Sequence, residues 1–489
     1  LPPSPVAAGE AIRLAMAYAD LREYLQALDG AGKLHRVSRE VDKSWEVAAV
    51  MRRVFQRIAP RERPAMLFER VKGHDVPVAC GLLGGSREIY ALALETDVEG
   101  IAERWDCAQQ RPLPPELVNS GPCKEVVRKG AEADLGYLPI PTWTVEHDPA
   151  PFLTAPFVFT KDADTGVRNV GTYRMQLKGP QTLGLGGFHI DSVQHVAIQF
   201  RRYRELKRTM PVAVVLGADP TIGLCSVTKI PRNVDELDVA GGLRREPVPV
   251  VRCETIDMEV PASAEFVLEG EVDPENLEDE GPFGEFPGYM GAPGPGLVFR
   301  LKAITHRHNP IYQAFVSQMP PSESSCIRGI GREMTLTKHL KGVLGLPVVD
   351  VHHLEDGGSS TFLAISIKKG HETQAREIMW AVWALQPNLA KWVVVVDDDI
   401  DVRDSFALHW AMAFRVQPDR DIYIERNTLA INLDPAQAPP GTPSQDRSRL
   451  IGSKVGIDAT RKFEYPPAAL PPKAHLDEVD RLWKEYGFA

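Results

Sequence analysis

The sequence has no surplus of positive charge. Its 56 lysines and arginines are outnumbered by 66 aspartates and glutamates, and the formal net charge is −10. The basic residues are scattered along the chain, so they form no basic stripe that could follow a phosphate backbone. Nucleic acid is therefore excluded as an expected partner.

Paired cysteines and long apolar runs are also lacking. The six cysteines lie far apart without a CxxC pair, which predicts reduced thiols in a cytoplasmic protein. Residues 1–14 contain no basic segment followed by an apolar run, so no signal peptide is expected. The most apolar segment, residues 392–396, is far too short to span a membrane. We expect a soluble protein without a membrane partner.

The length and composition indicate a folded protein of several domains. A chain of 489 residues exceeds the size at which a single core stops growing, and 43% hydrophobic with 25% charged residues is ordinary globular usage. Helix and strand patterns alternate up to about residue 110 and again after Pro320. We predict an N-terminal α/β domain (1–120), a central β domain (121–320) and a C-terminal α/β domain (321–489).

The central region is dominated by strand patterns rich in β-branched residues and bounded by glycine or proline. These patterns cover residues 152–160, 169–177, 211–216, 250–259, 265–272 and 297–316. So many strands with few helices predict a barrel or a sandwich. Among the flanking helices, we expect one capped by Ser44 and one over residues 332–344.

Two glutamates mark the most informative motif. Glu280 and Glu285 are separated by Gly-Pro-Phe-Gly, and an irregular loop of this kind can turn both carboxylates toward one cavity. Paired acids at close range raise the pKa of one of them, which leaves a proton donor at neutral pH. The same residues also fit an acidic surface loop.

An arginine and a mixed set of polar residues are the other candidates. Arg174 follows Gly171 on a predicted strand and could hold a carboxylate with two hydrogen bonds, although a solvent-facing edge arginine fits equally. Asn169, His195 and Glu236 offer oxygen and nitrogen ligands suited to Mn²⁺ or Mg²⁺ beside a phosphate. His195 also fits a packed core histidine.

Taken together, seven segments in order closely resemble the UbiD family of decarboxylases. They are residues 169–174, 194–195, 216–220, Glu236, 260–265, 280–285 and 452–454. The resemblance implies an N-terminal α/β region, a central split β-barrel similar to flavin reductases and a C-terminal α/β dimerisation domain. It also implies reversible, non-oxidative decarboxylation of an aromatic, heteroaromatic or α,β-unsaturated acid, with a homodimer or homohexamer as the assembly.

The resemblance further implies prenylated FMN as cofactor, with Mn²⁺ (or Mg²⁺) and K⁺ at its phosphate, and a flavin prenyltransferase as its supplier. Arg174, Glu280 and Glu285 match the catalytic set. The divalent metal ligands are Asn169, His195 and Glu236, with His189 as an alternative to His195. The monovalent site matches Cys225, Ser226, Thr228 and Glu236. The implied cofactor-binding residues are Asn169, Gly171, Thr172, Tyr173, Arg174, Gln194, His195, Ser226, Glu236 and Lys454.

Two other enzyme classes compete with this interpretation. An FMN-dependent oxidoreductase could share a split barrel, although no GxGxxG opens a helix after a strand. A metal-dependent phosphohydrolase could use the acids at 397–401, which end a predicted strand. The plainer interpretation of that run is a polar strand end paired with Arg403 and Arg415.

Overall fold

The computed structural model describes residues 17–188, 190–431, 433–439, 442, 446 and 450–488. Three regions follow one another along the chain, two of mixed α/β structure flanking one built on a large curled sheet. This is the fold class that the sequence predicts. The domain limits at residues 120 and 320 stay predictions.

The N-terminal region packs helices on a small sheet. Its elements are α1 (Leu21–Gly30), β1 (Leu34–Val41), α2 (Glu46–Arg57), β2 (Ala65–Val71), β3 (Val78–Cys80), α3 (Arg87–Ala93) and α4 (Ile101–Gln110). β1 and β2 are parallel and β2 and β3 antiparallel. The predicted cap of α2 is wrong, because the residue before the helix is Trp45 and no side chain caps it. The amide of Ser44 instead donates to Asp42 Oδ1, so the turn before the helix is held by Asp42.

The central region contains most of the strands. They are β4 (Glu116–Leu117), β5 (Val126–Lys129), β6 (Phe152–Leu153), β7 (Phe157–Lys161), β8 (Arg168–Thr172), β9 (Met175–Gly179), β10 (Thr182–Leu185), β11 (Met210–Leu216), β12 (Pro249–Arg252), β13 (Glu259–Pro261), β14 (Phe266–Glu280), β15 (Phe283–Gly284), β16 (Met290–Gly291), β17 (Gly294–His306) and β18 (Tyr312–Ala314). Three helices interrupt them, namely α5 (His195–Glu205), α6 (Pro220–Ser226) and α7 (Glu236–Arg244).

Nine of these strands form the curled sheet, in the order β6-β9-β10-β17-β14-β11-β7-β8 with β5 added beside β17. The long strands β14 and β17 pair from Phe266 with His306 to Glu280 with Gly294. The predicted strand over residues 169–177 is two strands, β8 and β9, and Tyr173 and Arg174 lie in the break between them. This break and the far end of β14 hold the site described below.

The C-terminal region is a five-stranded mixed sheet with helices. Its elements are α8 (Glu323–Thr337), β19 (Val348–His353), β20 (Phe362–Ile367), α9 (Gln374–Leu385), β21 (Trp392–Asp397), α10 (Ser405–Arg415), α11 (Pro418–Asp421), β22 (Ile422–Leu429), β23 (Ile451–Asp458) and α12 (Lys473–Arg481). The sheet order is β19-β20-β21-β23-β22. α8 begins nine residues before the predicted helix and continues as a π-helical turn over Lys338–Val343. Within the described ranges, no helix is long and apolar enough to cross a bilayer.

A buried glutamate ties the C-terminal region to the N-terminal one. Glu323, in the first turn of α8, is fully buried, and its carboxylate accepts hydrogen bonds from the backbone N–H of Gly81 (2.8 Å) and Leu83 (3.1 Å). Burial raises the pKa of Glu323 to about 7, and these hydrogen bonds oppose the rise. α8 therefore starts from a fixed point on the N-terminal region.

We predict that Glu323→Ala lowers the free energy of unfolding by about 2–4 kcal/mol, because two buried N–H groups lose their acceptor. Hydrogen exchange at the Gly81 and Leu83 amides, together with denaturant unfolding, measures the loss. Glu103→Ala is the matched control, since Glu103 is an exposed acid in the first turn of α4 and should change stability by less than about 0.5 kcal/mol. Equal stability of the two variants would contradict the anchoring role of Glu323.

Candidate active site

An arginine and two glutamates from three separate segments meet in the central region. Arg174 Nε and Nη2 donate to the two carboxylate oxygens of Glu280 at 2.8 and 2.9 Å, and Nη1 donates to Glu285 Oε1. Arg174 comes from the break between β8 and β9, Glu280 from the end of β14, and Glu285 from the β15–β16 hairpin. The structure thus brings together the three residues that the sequence analysis singled out.

The two acids differ in exposure. The side chain of Glu280 is 4% exposed, whereas that of Glu285 is 22% exposed. Burial alone would lower the pKa of Arg174, but its hydrogen bonds to Glu280 and the charges of both acids raise it above the ordinary value. Arg174 is therefore a permanent cation, with Glu280 as its fixed partner and Glu285 as the more accessible one.

Glycines make room for the buried pair. A Cβ on Gly186 would lie 2.3 Å from Glu280 Oε2, and one on Gly296 would lie 2.9 Å from Glu280 Cβ. The Phe283 ring lies 5.1 Å from the Arg174 guanidinium carbon. The two glycines were not predicted as neighbours of Glu280, although the run Gly184-Leu185-Gly186-Gly187 was a visible signal for a close approach to the backbone.

A second cluster surrounds Tyr173, next to Arg174. The Asn169 side chain and the Val196 backbone interact with the Tyr173 hydroxyl, and the charge of Glu236 also acts on it. Burial raises the pKa of Tyr173 to about 12. Tyr173 thereby links Asn169, Glu236 and the start of α5, where His195 is the first residue.

Two of the predicted metal ligands, Glu236 and His195, have pKa values that burial shifts toward the uncharged form. Glu236 is 3% exposed, and its Oε2 accepts the backbone N–H of Val170 at 2.8 Å. Burial raises the pKa of Glu236 to about 8, and that of His195 is lowered by burial and by Arg232 and Lys229. A cation close to Glu236 would offset the cost of burying its carboxylate. His189 lies outside the described residues.

The remaining predicted residues lie at the end of α6 and in the C-terminal sheet. Ser226 Oγ and Thr172 Oγ1 are 2.8 Å apart, and the Cys225 carbonyl accepts the Thr228 N–H at 3.1 Å. Lys454 is buried on β23, where its Nζ donates to the Leu389 carbonyl at 2.7 Å and burial lowers its pKa to about 8. The hydrogen bonds of Lys454 thus join it to the turn after α9 rather than to the Tyr173 cluster.

Two further segments of the resemblance have structural roles. Gly217 has a φ of +72°, and a Cβ there would lie 2.8 Å from Glu265 Cγ. Glu265 is fully buried and binds Arg22 of α1 through bonds of 2.9 and 3.0 Å. Residues 216–220 and 260–265 therefore join the N-terminal helix to the curled sheet.

Arg415 pairs with two of the acids in the run at 397–401. Arg415 binds Asp397 at 3.2 Å and Asp399 at 2.9 and 2.7 Å. Arg403 instead directs its guanidinium to Asp350 and Glu333, and only its backbone N–H binds Asp401. Within the part of the chain that the structure describes, no group of three or more His, Cys, Asp and Glu residues is arranged to hold a metal. A phosphohydrolase site at this strand end is not favoured.

Comparison with known proteins gives matches along nearly the whole chain. Three domains of the 3-octaprenyl-4-hydroxybenzoate carboxy-lyase (UbiD) family match: the N-terminal domain at residues 25–107, the Rift-related domain at 116–320 and the C-terminal domain at 325–459. An uncharacterised protein of Archaeoglobus fulgidus is 35% identical, over 96% of this chain and 99% of that protein.

Solved structures agree with these matches. The UbiD-class enzyme HmfF of Pelotomaculum thermopropionicum, in complex with FMN, is 36% identical with a TM-score of 0.82, covering 93% of this chain and 96% of that one. Vanillic acid decarboxylase of Sedimentibacter hydroxybenzoicus, in its open form, is 28% identical with a TM-score of 0.81, covering 96% of this chain and 100% of that one. The chain belongs to the UbiD family of carboxy-lyases.

Proposed function

We propose that this chain reversibly decarboxylates an aromatic, heteroaromatic or α,β-unsaturated acid, with prenylated FMN as cofactor and Arg174, Glu280 and Glu285 as catalytic residues. The observation that carries the proposal is the convergence of one guanidinium on two carboxylates of unequal exposure. HmfF has been solved with FMN and, in an evolved dimeric form, with prenylated FMN. We infer that a flavin prenyltransferase supplies the cofactor.

The residues around Tyr173 suit the phosphate end of such a cofactor. Asn169, His195 and Glu236 would hold Mn²⁺ or Mg²⁺ beside the phosphate, since they offer amide, imidazole and carboxylate donors, and Asn169 and Glu236 both interact with Tyr173. Glu236, Ser226 and the backbone oxygens of Cys225 and Thr228 would hold K⁺. When bound, the prenylated flavin supplies the electron sink that protein side chains lack.

Substrate binding begins at Arg174. In the described chain all three guanidinium nitrogens of Arg174 are engaged by the two acids, so an incoming carboxylate must replace one of them. Glu285 is the acid to be replaced, because it is more exposed and holds Arg174 by one nitrogen only. Glu280 stays in place and keeps the guanidinium oriented toward the substrate carboxylate.

The displaced Glu285 becomes the proton donor once it has taken up a proton from water, which is favoured because it no longer pairs with Arg174. The β15–β16 hairpin that carries Glu285 is closed by a hydrogen bond of 2.9 Å from Glu285 N–H to the Tyr289 carbonyl, which keeps the carboxyl group near Arg174. Apolar surroundings such as Phe283 favour the departure of a neutral gas over retention of a charged carboxylate. Reversal of the same steps is carboxylation.

Self-association of the C-terminal region fits this proposal. Phe406, Trp410 and Phe414 follow one another at intervals of four residues on α10, so they share one face of the helix, and all three are exposed in the single chain. An exposed aromatic stripe of this kind is typical of a protein interface. We infer a homodimer or homohexamer built on this region.

Glu285→Gln should bind flavin normally but lower turnover by at least about two orders of magnitude, because positioned proton transfer contributes roughly 10²–10⁴-fold. Flavin absorbance after reconstitution and CO₂ release from a panel of aryl acids measure the two properties. Glu278→Gln is the matched control, since Glu278 is an exposed glutamate near the end of β14. Near-normal turnover of Glu285→Gln would remove Glu285 from the mechanism.

Arg174→Lys keeps the charge but loses the planar fork that binds Glu280 with two nitrogens. We expect turnover to fall by about 30-fold or more and substrate affinity to weaken, as for the loss of hydrogen bonds between charged groups worth about 2 kcal/mol or more. Arg202→Lys is the control, because Arg202 makes the same paired contact with Asp164 at the surface. An Arg174→Lys enzyme with the wild-type kcat/KM would exclude the proposed role.

Glu236→Gln should weaken Mn²⁺ binding by at least about tenfold and lower FMN affinity with it, because an amide replaces the only carboxylate of the proposed metal set. Metal content by mass spectrometry and titration with unmodified FMN give readouts independent of turnover. Asp238→Asn, a change to a less buried acid in the same first turn of α7, should leave both quantities unchanged. Unaltered Mn²⁺ binding by Glu236→Gln would contradict the metal assignment.

A further inference from the structure

Arg328 is an arginine without a partner at the edge of the proposed active site. It lies in the middle of α8, and its Nε and Nη2 atoms have neither solvent contact nor a hydrogen-bond partner among the described residues. The residue as a whole is partly accessible, whereas these two guanidinium nitrogens are not. Burial lowers the pKa of Arg328 to about 10, against the attraction of Glu285. A buried cation of this kind has lost its hydration without forming an ion pair, which is energetically unfavourable.

The neighbours of Arg328 belong to the Glu285 hairpin. Its guanidinium carbon lies 5.5 Å from the centre of the Phe286 ring, and Glu285 is the one acid whose charge acts on it. Glu285 in turn binds Arg174. Arg328 therefore lies beside the hairpin that carries Glu285. In the proposed function, this places Arg328 next to the substrate site.

Arg332, one helical turn further along α8, differs from Arg328 because its guanidinium has hydrogen-bond partners. Its Nη1 donates to the Ser359 carbonyl at 2.6 Å and to Ser360 Oγ at 2.5 Å. These partners are neutral, and the positive charge of Arg328 helps burial to lower the pKa of Arg332 to about 9. The pair Arg328 and Arg332 therefore leaves two positive charges on α8 without an acid of their own.

The helix that carries Arg328 is held in place at its start. The Ser322 side chain caps α8 by accepting the Ser325 N–H at 3.3 Å, and Glu323 binds the backbone of the N-terminal region as described above. Arg328 lies only five residues after Glu323, within the same regular helix. The guanidinium is thus preorganised to meet a ligand, which lowers the entropic cost of binding.

We propose that Arg328 binds a second anionic group of the substrate, a carboxylate on the same ring or conjugated chain as the one that is lost. This inference rests on the proposed function, in which Arg174 takes the reacting carboxylate. Arg174 is fully occupied by Glu280 and the reacting group, so a second carboxylate would find its cation in Arg328. Monocarboxylates would leave Arg328 unpaired, and the enzyme would therefore prefer a dicarboxylate.

Ring-matched acids test the proposal on the flavin-loaded enzyme. We expect at least one of benzene-1,2-, benzene-1,3- and benzene-1,4-dicarboxylate to bind about tenfold or more tightly than benzoate, the range of a hydrogen-bonded charge pair. Calorimetric titration measures the dissociation constants. In Arg328→Gln, the ratio of the benzoate dissociation constant to that of the preferred dicarboxylate should fall to about 1. Benzoate affinity should change by less than about threefold, since only the second carboxylate loses its partner.

Two further variants complete the test. Arg332→Gln is the matched control on the same helix and should keep the dicarboxylate preference, because Arg332 already has partners in Ser359 and Ser360. Arg328→Lys keeps the positive charge but loses the planar guanidinium, so it should show an intermediate preference for dicarboxylates. If the thermal melt shows that Arg328→Gln does not fold, Arg328→Lys is used in its place.

Three results would overturn the role of Arg328. The first is no preference of the wild type for any dicarboxylate. The second is a preference that survives in Arg328→Gln, or that stays at the wild-type value in Arg328→Lys where that variant is used. The third is a preference that Arg332→Gln loses as fully as Arg328→Gln does. Failure of the proposed function has a different signature. In that case Arg174→Lys would bind benzoate and the dicarboxylates as tightly as the wild type, whatever Arg328 does.

Discussion

The site depends on the buried ion pair between Arg174 and Glu280. Taking both charges out of water is costly, and the doubly bonded geometry at 2.8 and 2.9 Å offsets that cost. Removing either partner would leave an uncompensated charge, a loss of about 3–5 kcal/mol for buried pairs. The pair is therefore fixed in place. Gly186 and Gly296 pack so closely against Glu280 that neither position has room for a Cβ atom. Glu285 is held by one nitrogen and is the more exposed of the two acids.

The architecture brings this pair into contact with elements from distant parts of the chain. β14 carries Glu280, the β8–β9 break carries Arg174, and α8 approaches from the C-terminal region with its first turn tied to the N-terminal one. The proposed metal cluster shares β8 and its flanking residue Tyr173 with the catalytic set. One short segment, residues 169–174, thus connects the proposed phosphate end of the cofactor to the carboxylate end of the substrate.

The sequence predicted many of the strands and the convergence of Arg174, Glu280 and Glu285, but not the irregular backbone that positions these three side chains. Hydrophobic patterns located β11 and the first half of β14, because both are runs of largely apolar, mostly buried residues. The break at Tyr173 and Arg174 was predicted as continuous strand, since Val170 and Thr172 before it and Met175 and Leu177 after it all fit a strand. The start of α8 was placed too late, because Glu323 is held by the Leu83 N–H, 240 positions away, and the local cap at Ser322 was not recognised. Ser44 is a common capping residue type, yet α2 begins after Trp45 without a side-chain cap, and Asp42 holds the preceding turn.

The central claim is that this chain, carrying prenylated flavin, removes CO₂ from a conjugated acid. The most direct measurement is headspace mass spectrometry of ¹³CO₂ from carboxyl-labelled aryl, heteroaryl and acrylic mono- and dicarboxylic acids, using protein co-expressed with a flavin prenyltransferase. The account predicts ¹³CO₂ release from at least one acid, only when the modified flavin is present. Protein that carries the modified flavin and releases no ¹³CO₂ from any of these acids would contradict it.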